Sequence, residues 1–284
     1  PGKPVKRVAI TAAAIAAAVA VLWSVLNLTL LAGPDTRGAS VEKVTVDSKA
    51  VPGEHPVSVV VPGDASGDAG RPLLLFLHGR SGNSETFTDQ EAFFDALEAQ
   101  GDRAPIVAFP DGGESSYWHD RDSGNWDSYL TDEVIPQVAE KFGADPAKVA
   151  VGGISMGGFG ALNLALHHPG KFCAAGGHSP AIFLSGGESA PGAFDDADDF
   201  ARNDVLSAAR NDPAAFSGIP IWLDAGTKDP FVPGVSEMDA ALTSAGADLT
   251  TNGAWRGGHD EAYWNAHWAD YMEFYAGELA GCQP

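Results

Sequence analysis

Apolar and polar positions along this chain of 284 residues change period several times. Residues 8–33 form one uncharged run rich in Ala, Val and Leu. A run of about 20 apolar residues can cross a bilayer as a helix, whereas a cleaved secretory signal has a shorter apolar region of roughly 7–15 residues. Lys3, Lys6 and Arg7 precede the run, which keeps the N-terminus in the cytoplasm and puts the remainder of the chain outside. The expectation is a signal-anchor over residues 1–33, then a small, polar tether at 34–40. A cleaved signal and a secreted product is the alternative, although Leu30-Leu31-Ala32 fits a small-x-small cleavage site badly.

From residue 41 the pattern alternates between periods. Residues 41–47 and 56–61 read as a pair of strands, and 72–77 as a continuous apolar, buried strand ending at His78-Gly79. Helical spacing over 86–100 precedes a strand at 105–109, and a helix over 126–142 precedes one at 148–153. A small-residue helix at 156–168 leads to a strand at 172–177. Residues 182–211 break the rhythm, with Asp195, Asp196, Asp198 and Asp199 close together, and read as an insertion with one or two short helices. Strand 220–225, helix 235–245, strand 248–254 and an aromatic-rich helix 261–279 close the chain. Strands alternating with helices imply an α/β fold, a mostly parallel sheet with helices on both faces. The first two strands have no helix between them and are expected to form an antiparallel edge. Residues 41–284 thus read as a single domain.

Composition narrows the chemistry. Apolar residues make up 44% of the chain, enough for a sizeable core. The net charge is −21, and removing the three leading cations leaves 14 basic residues against 38 acidic ones outside, a net of −24. Such a surface repels phosphate backbones, so nucleic acid is excluded as a partner. Cys173 and Cys282 allow one bridge or two free thiols, and outside the cytoplasm a bridge is permitted.

Gly153-Ile154-Ser155-Met156-Gly157 matches G-x-S-x-G between a strand and a helix, the setting of a nucleophile elbow. A serine hydroxyl needs a base. His259 comes after the last strand in a loop, at the sheet edge that also carries the elbow. The base needs an orienting acid. Asp229 leaves the carboxyl end of strand 220–225, whereas its competitor Asp224 lies within that strand. Ser155, Asp229, His259 is the chain order of α/β-hydrolases. An oxyanion hole takes backbone N–H groups, here from Met156 and from Arg80, with Gly79 allowing close approach.

With these residues in place, the chain resembles the esterase D family of α/β-hydrolases, which includes S-formylglutathione hydrolases, feruloyl esterases and antigen 85 mycolyltransferases. The resemblance spans roughly 41–279. It rests on Leu77-His78-Gly79, Phe109-Pro110-Asp111-Gly112, Gly153-Ile154-Ser155-Met156-Gly157-Gly158, Ser179-Pro180, Asp229 and Gly258-His259, with Tyr117-Trp118-His119 and Trp126 in addition. It implies an α/β-hydrolase fold, a serine-dependent acyl-enzyme, and Arg80 as the second oxyanion donor. The chain departs from the antigen 85 pattern at Gly158, where that group has Ser, and at its acid, where that group has Glu.

On the substrate side, Gly79, Trp118, His119 and His178 are the candidate pocket residues. Trp118 and His119 either line the pocket or pack beneath the elbow, and His178 either faces it or sits in a surface loop. Tyr263 and Trp264 either flank the pocket or belong to the core. The acidic insertion reads as a lid or as a solvated excursion. No spacing resembles a calcium loop, so neither metal nor cofactor is expected. The function implied is hydrolysis of a small-molecule, lipid or glycan ester at a membrane-anchored, extracytoplasmic site. Acyl transfer to envelope glycolipids, or a noncatalytic envelope role on the same scaffold, are the alternatives.

Overall fold

The computed structural model describes residues 33–63, 70–251 and 255–282, and Ile15 and Val19 besides. The chain divides into two units, Pro1–Asp35 and Thr36–Pro284. The expected membrane span lies outside the described residues apart from Ile15, Val19 and Gly33. Among the described residues, no helix is long and apolar enough to cross a membrane.

The second unit is built on an eight-stranded sheet. Its strands are β1 (Ser40–Ser48), β2 (Gly53–Val61), β3 (Arg71–Leu77), β4 (Ile106–Pro110), β7 (Ala144–Ile154), β8 (Ala174–His178), β9 (Ile221–Asp224) and β10 (Leu249–Thr251). A separate two-residue hairpin, β5 (Asp120–Arg121) with β6 (Gly124–Asn125), lies outside it. The spatial order is β1-β2-β4-β3-β7-β8-β9-β10. β1 pairs antiparallel with β2, and β2 antiparallel with β4. From β4 to β10 every pairing is parallel. The helix-free connection between β1 and β2 is the reason for the antiparallel edge, since a parallel return needs a crossover.

The central strand shows how the sequence feeds two cores. Side chains alternate across a pleated strand. Leu73, Leu75 and Leu77 of β3 enter one core, while Leu74 and Phe76 enter the other. A run apolar on every residue is what a strand covered on both faces requires. On the Phe76 face lie α1 (Glu91–Glu98), through Phe93 and Phe94, and the closing helix α8 (Glu261–Gly281), through Trp268, Tyr271 and Tyr275. On the other face lie α2 (Trp126–Ser128), α3 (Ile135–Phe142), α4 (Met156–His167) and α7 (Val232–Ala245). Cys173 and Cys282 form a disulfide with a Cα–Cα distance of 5.6 Å, so the alternative left open by the sequence resolves as a bridge.

One local departure has a physical cause, and two other stretches add detail. The helix expected from residue 86 begins only at Glu91. Asn83 Oδ1 accepts from the Glu85 N–H, and Thr86 Oγ1 accepts from the Asn83 N–H. Short polar side chains that bind nearby backbone compete with helix formation, so this stretch is a series of turns. The helix over 126–142 contains a π-helical turn at Tyr129–Val134 between α2 and α3. The insertion forms α5 (Ala197–Arg202) and α6 (Val205–Asn211), and it is pinned to the body. Arg121 donates to Asp195 Oδ1 from Nε at 3.0 Å and from Nη2 at 2.5 Å, and its Nη1 reaches the Gly192 and Ala193 carbonyls.

Candidate active site

β7 ends at Ile154, and α4 begins at Met156. The chain reverses within Ser155 alone, at φ 59°, a left-handed conformation that non-glycine residues seldom adopt. Strain of this kind persists only where surrounding structure enforces it. Here the Ser155 N–H donates to the His178 carbonyl, and the Ser155 carbonyl accepts from the Ala181 N–H, each at 3.0 Å. Packing under the turn is equally tight. A Cβ at position 157 would stand 2.0 Å from the Leu77 carbonyl oxygen, and one at 153 would stand 2.5 Å from the Gly157 carbonyl carbon. Both positions therefore require glycine.

His259 lies in the coil before α8, within reach of that turn. Ser155 Oγ is 2.8 Å from His259 Nε2, and His259 Nδ1 is 2.9 Å from Asp229 Oδ2. A carboxylate can only accept here, so Nδ1 carries the proton and Nε2 presents its lone pair to the serine hydroxyl. Asp229 Oδ1 is held separately by the Phe231 N–H at 2.8 Å. The Asp229 side chain is fully buried, whereas that of His259 keeps 22% exposure on the cleft side. The rings of Phe231 and Trp264 stand edge-on to the imidazole, each 5.1 Å away. The loops that carry Asp229 and His259 are bonded to each other, Lys228 N–H to the Gly257 carbonyl at 2.8 Å and Thr227 N–H to the Trp255 carbonyl at 2.9 Å.

The other candidate donors sit beside the serine. A Cβ on Gly79 would stand 3.3 Å from Ser155 Cβ and 3.9 Å from its Oγ, so Gly79 lies against Ser155. Met156 is the first residue of α4, where backbone N–H groups have no acceptor within the helix. A cleft of about 520 Å³ opens over Ser155 and His259. Its walls include Gly79, Arg80, Phe87, Gln90, Ile154 and Trp264. Trp264 is thus a wall of the cleft, while Tyr263 is a core residue.

Three of the candidate pocket residues are placed elsewhere. Trp118 is fully buried beneath α4, where a Cβ on Gly160 would strike it at 2.5 Å, and its indole N–H donates to the His78 carbonyl at 3.2 Å. His119 is buried against Asp199 of the insertion at 3.1 Å, and burial pushes its imidazole below the ordinary range. His178 points to the α8 side of the sheet, where its Nδ1 donates to Asp224 Oδ1 at 2.9 Å and its Nε2 accepts from the Tyr275 hydroxyl at 2.8 Å. Asp224, the rival acid, also accepts from Trp222 Nε1 and from the hydroxyls of Tyr263 and Tyr271. Burial, with Asp224 beside them, drives both tyrosines well above their usual range. The residues that line the cleft come from outside the 182–211 insertion. Conversely, Thr86, Phe87 and Gln90 line it and have no counterpart among the sequence-based candidates. The local turn chemistry of Asn83 and Thr86 was the available signal.

Comparisons with known proteins give a family and a fold. The model of the Esterase family matches residues 48–274. The MPT51 antigen of Mycobacterium leprae is 30% identical over 161 residues, 55% of this chain and 51% of that protein. The chain thus spans about half the length of that relative. The diacylglycerol acyltransferase/mycolyltransferase Ag85A of Mycobacterium ulcerans is 28% identical over 233 residues, covering 70% of this chain and 68% of that protein. Among solved structures, a ferulic acid esterase superposes with a TM-score of 0.74 at 21% identity, over 84% of this chain and 98% of that one. That likeness is one of fold, an α/β-hydrolase with a mostly parallel central sheet.

Proposed function

The chain belongs to the Esterase family, and from that premise we propose that it is a serine hydrolase of carboxylic esters working through an acyl-enzyme. The observation that carries the reading is the continuous bonding from Asp229 through His259 to Ser155 at the floor of an open cleft. In the reaction, His259 Nε2 takes the Ser155 proton as Oγ attacks the ester carbonyl carbon. The C–O double bond opens to an oxyanion, which the Arg80 and Met156 N–H groups stabilise. Collapse expels the alcohol, which receives the proton from His259. Water then attacks the acyl-enzyme by the same steps and frees the acid.

We further propose that this happens outside the cytoplasm, on a chain held to the membrane by its leading segment. The cations before residue 8 and the uncharged run after them support this, as does the Cys173–Cys282 bridge, a bond that persists in oxidising compartments. The chain with residues 1–33 present should stay with membranes through an alkaline carbonate wash, and its release would sink this part.

The test of the chemistry is hydrolysis of p-nitrophenyl esters from acetate to palmitate, with Ser155→Ala alongside. Turnover should fall by about 10⁴-fold or more in the variant with melting unchanged. A folded, active Ser155→Ala protein would overturn the assignment. Acyl transfer to an alcohol acceptor is the second reading, favoured by the likeness to a mycolyltransferase over 70% of the chain. It predicts a new ester, not only free acid, when a sugar acceptor is supplied.

A further inference from the structure

His78 is almost wholly buried, with 1% exposure, and takes no part in the proton path. Both of its ring nitrogens are nevertheless committed. The Gly112 N–H, which can only donate, reaches Nε2 at 2.9 Å. Nε2 is therefore the acceptor nitrogen, and the ring proton sits on Nδ1. Nδ1 in turn lies 2.7 Å from the Gly79 carbonyl oxygen, to which it donates. The ring is itself wedged, edge-on to Trp118 at 5.0 Å, with the Trp118 indole N–H on the His78 carbonyl. Burial lowers the pKa of this imidazole and so keeps it neutral, while the Gly112 N–H and the Gly79 carbonyl select the tautomer.

The Gly79 carbonyl belongs to the same peptide unit as the Arg80 N–H. A trans peptide is planar, so these two groups point in opposite directions. Fixing the carbonyl therefore fixes the direction of the N–H. The unit has one other anchor, the Gly82 N–H at 3.0 Å on the same carbonyl oxygen. That turn passes through Ser81 at φ 62° and is strained. Among the described residues, no hydrogen bond occupies the Arg80 N–H. Gly79 lies against Ser155, since a Cβ on it would stand 3.3 Å from the serine Cβ, and Arg80 lines the same cleft.

We propose that His78 is a positioning residue for the reaction: by gripping the Gly79 carbonyl, it aims the Arg80 N–H at the oxyanion that forms on Ser155. This rests on the acyl-enzyme reading above. Its effect belongs to the transition state, because the oxyanion exists only after attack.

Two substitutions separate positioning from packing. The amide nitrogen of Asn falls where imidazole Nδ1 does, so His78→Asn keeps a donor for Gly79 and loses the partner of Gly112. His78→Gln keeps an acceptor for Gly112 and loses the donor to Gly79. With an ester the wild type turns over, His78→Gln should lose about 10- to 100-fold in kcat with KM little changed, short of the full loss of an oxyanion donor. Affinity for a trifluoromethyl ketone, which forms the tetrahedral oxyanion on serine, should weaken by the same factor. His78→Asn should recover most of both, although it leaves more empty volume. A packing role predicts the reverse order, because Asn is the smaller side chain. His78→Gln with wild-type kcat and ketone affinity would overturn the proposal and leave the esterase reading standing. A wild type that neither turns over an ester nor binds the ketone overturns both.

Discussion

Two neighbouring aspartates divide the polar chemistry around His259. Asp229 Oδ2 accepts from His259 Nδ1, whereas Asp224 gathers His178, Trp222, Tyr263 and Tyr271 on the far side of the sheet. Their amide variants should fail differently. Asp229→Asn can turn an N–H toward Nδ1, which forces the wrong tautomer on His259, and kcat should drop by about 10⁴-fold with the fold intact. Asp224→Asn replaces an acceptor of four donors with a group that is half donor, at a cost of roughly 1–3 kcal/mol for each donor left unsatisfied. It should lower the melting temperature while turnover per folded molecule largely survives. Kinetics and calorimetry on the pair check both, and equal kinetic defects would refute the division. The sequence distinguished these residues because Asp229 leaves the end of β9 and Asp224 lies within it. It did not place His178, since neighbouring residues on a strand face opposite sides and a one-residue ambiguity reverses the face. Trp118 and His119 were illegible for another reason. Tyr117 and Trp118 both adopt positive φ, at 53° and 59°, and no local pattern foretells where such a turn sends its side chains.

Elements with an unbroken period were legible, and elements interrupted by side-chain-to-backbone bonds were not. β3 announces itself by a run with apolar side chains on both faces, and the elbow by its glycines. α1 was overextended because Asn83 and Thr86 cap turns in a stretch whose apolar spacing looks helical. The elbow supplies the prediction at this scale. Gly157→Ala would bring a methyl group within 2.0 Å of the Leu77 carbonyl oxygen, a backbone atom that cannot rotate away. β3 or α4 would have to move, and overpacking of this kind costs about 1–3 kcal/mol and occasionally more. The variant should melt well below the wild type and lose activity even at temperatures where it stays folded. Wild-type melting for Gly157→Ala would show that the turn relaxes more freely than its packing implies.

At the scale of the whole molecule, buried imidazoles set a response to acid. Burial lowers the pKa of His78, His119 and His178 from the ordinary 6.5. Just below that value the unfolded chain binds protons at these positions and the folded chain does not. Stability is therefore complete above about pH 6.5 and is lost as pH falls through the window beneath it. Melting temperatures from pH 8 to pH 5 should decline once pH passes below 6.5, and a flat profile would contradict this account. Redox state is the second global variable. The bridge joins residues 109 apart in sequence, and opening it should cost about 2–4 kcal/mol, seen as a lower melting temperature under reductant. It also closes a frame. α8 is capped at its start by Asp260, anchored next to that by the Tyr263–Asp224 bond, and tied at its far end through Cys282 to the residue before β8. A beam held at both ends resists sliding and rolling, and His259 hangs from its near end while Ser155 follows the strand beside β8. Heating the oxidised protein should then leave catalysis intact until the whole structure gives way, with inactivation and melting on one curve. In the reduced protein the beam is free at one end, and activity should fade at temperatures where most molecules are still folded.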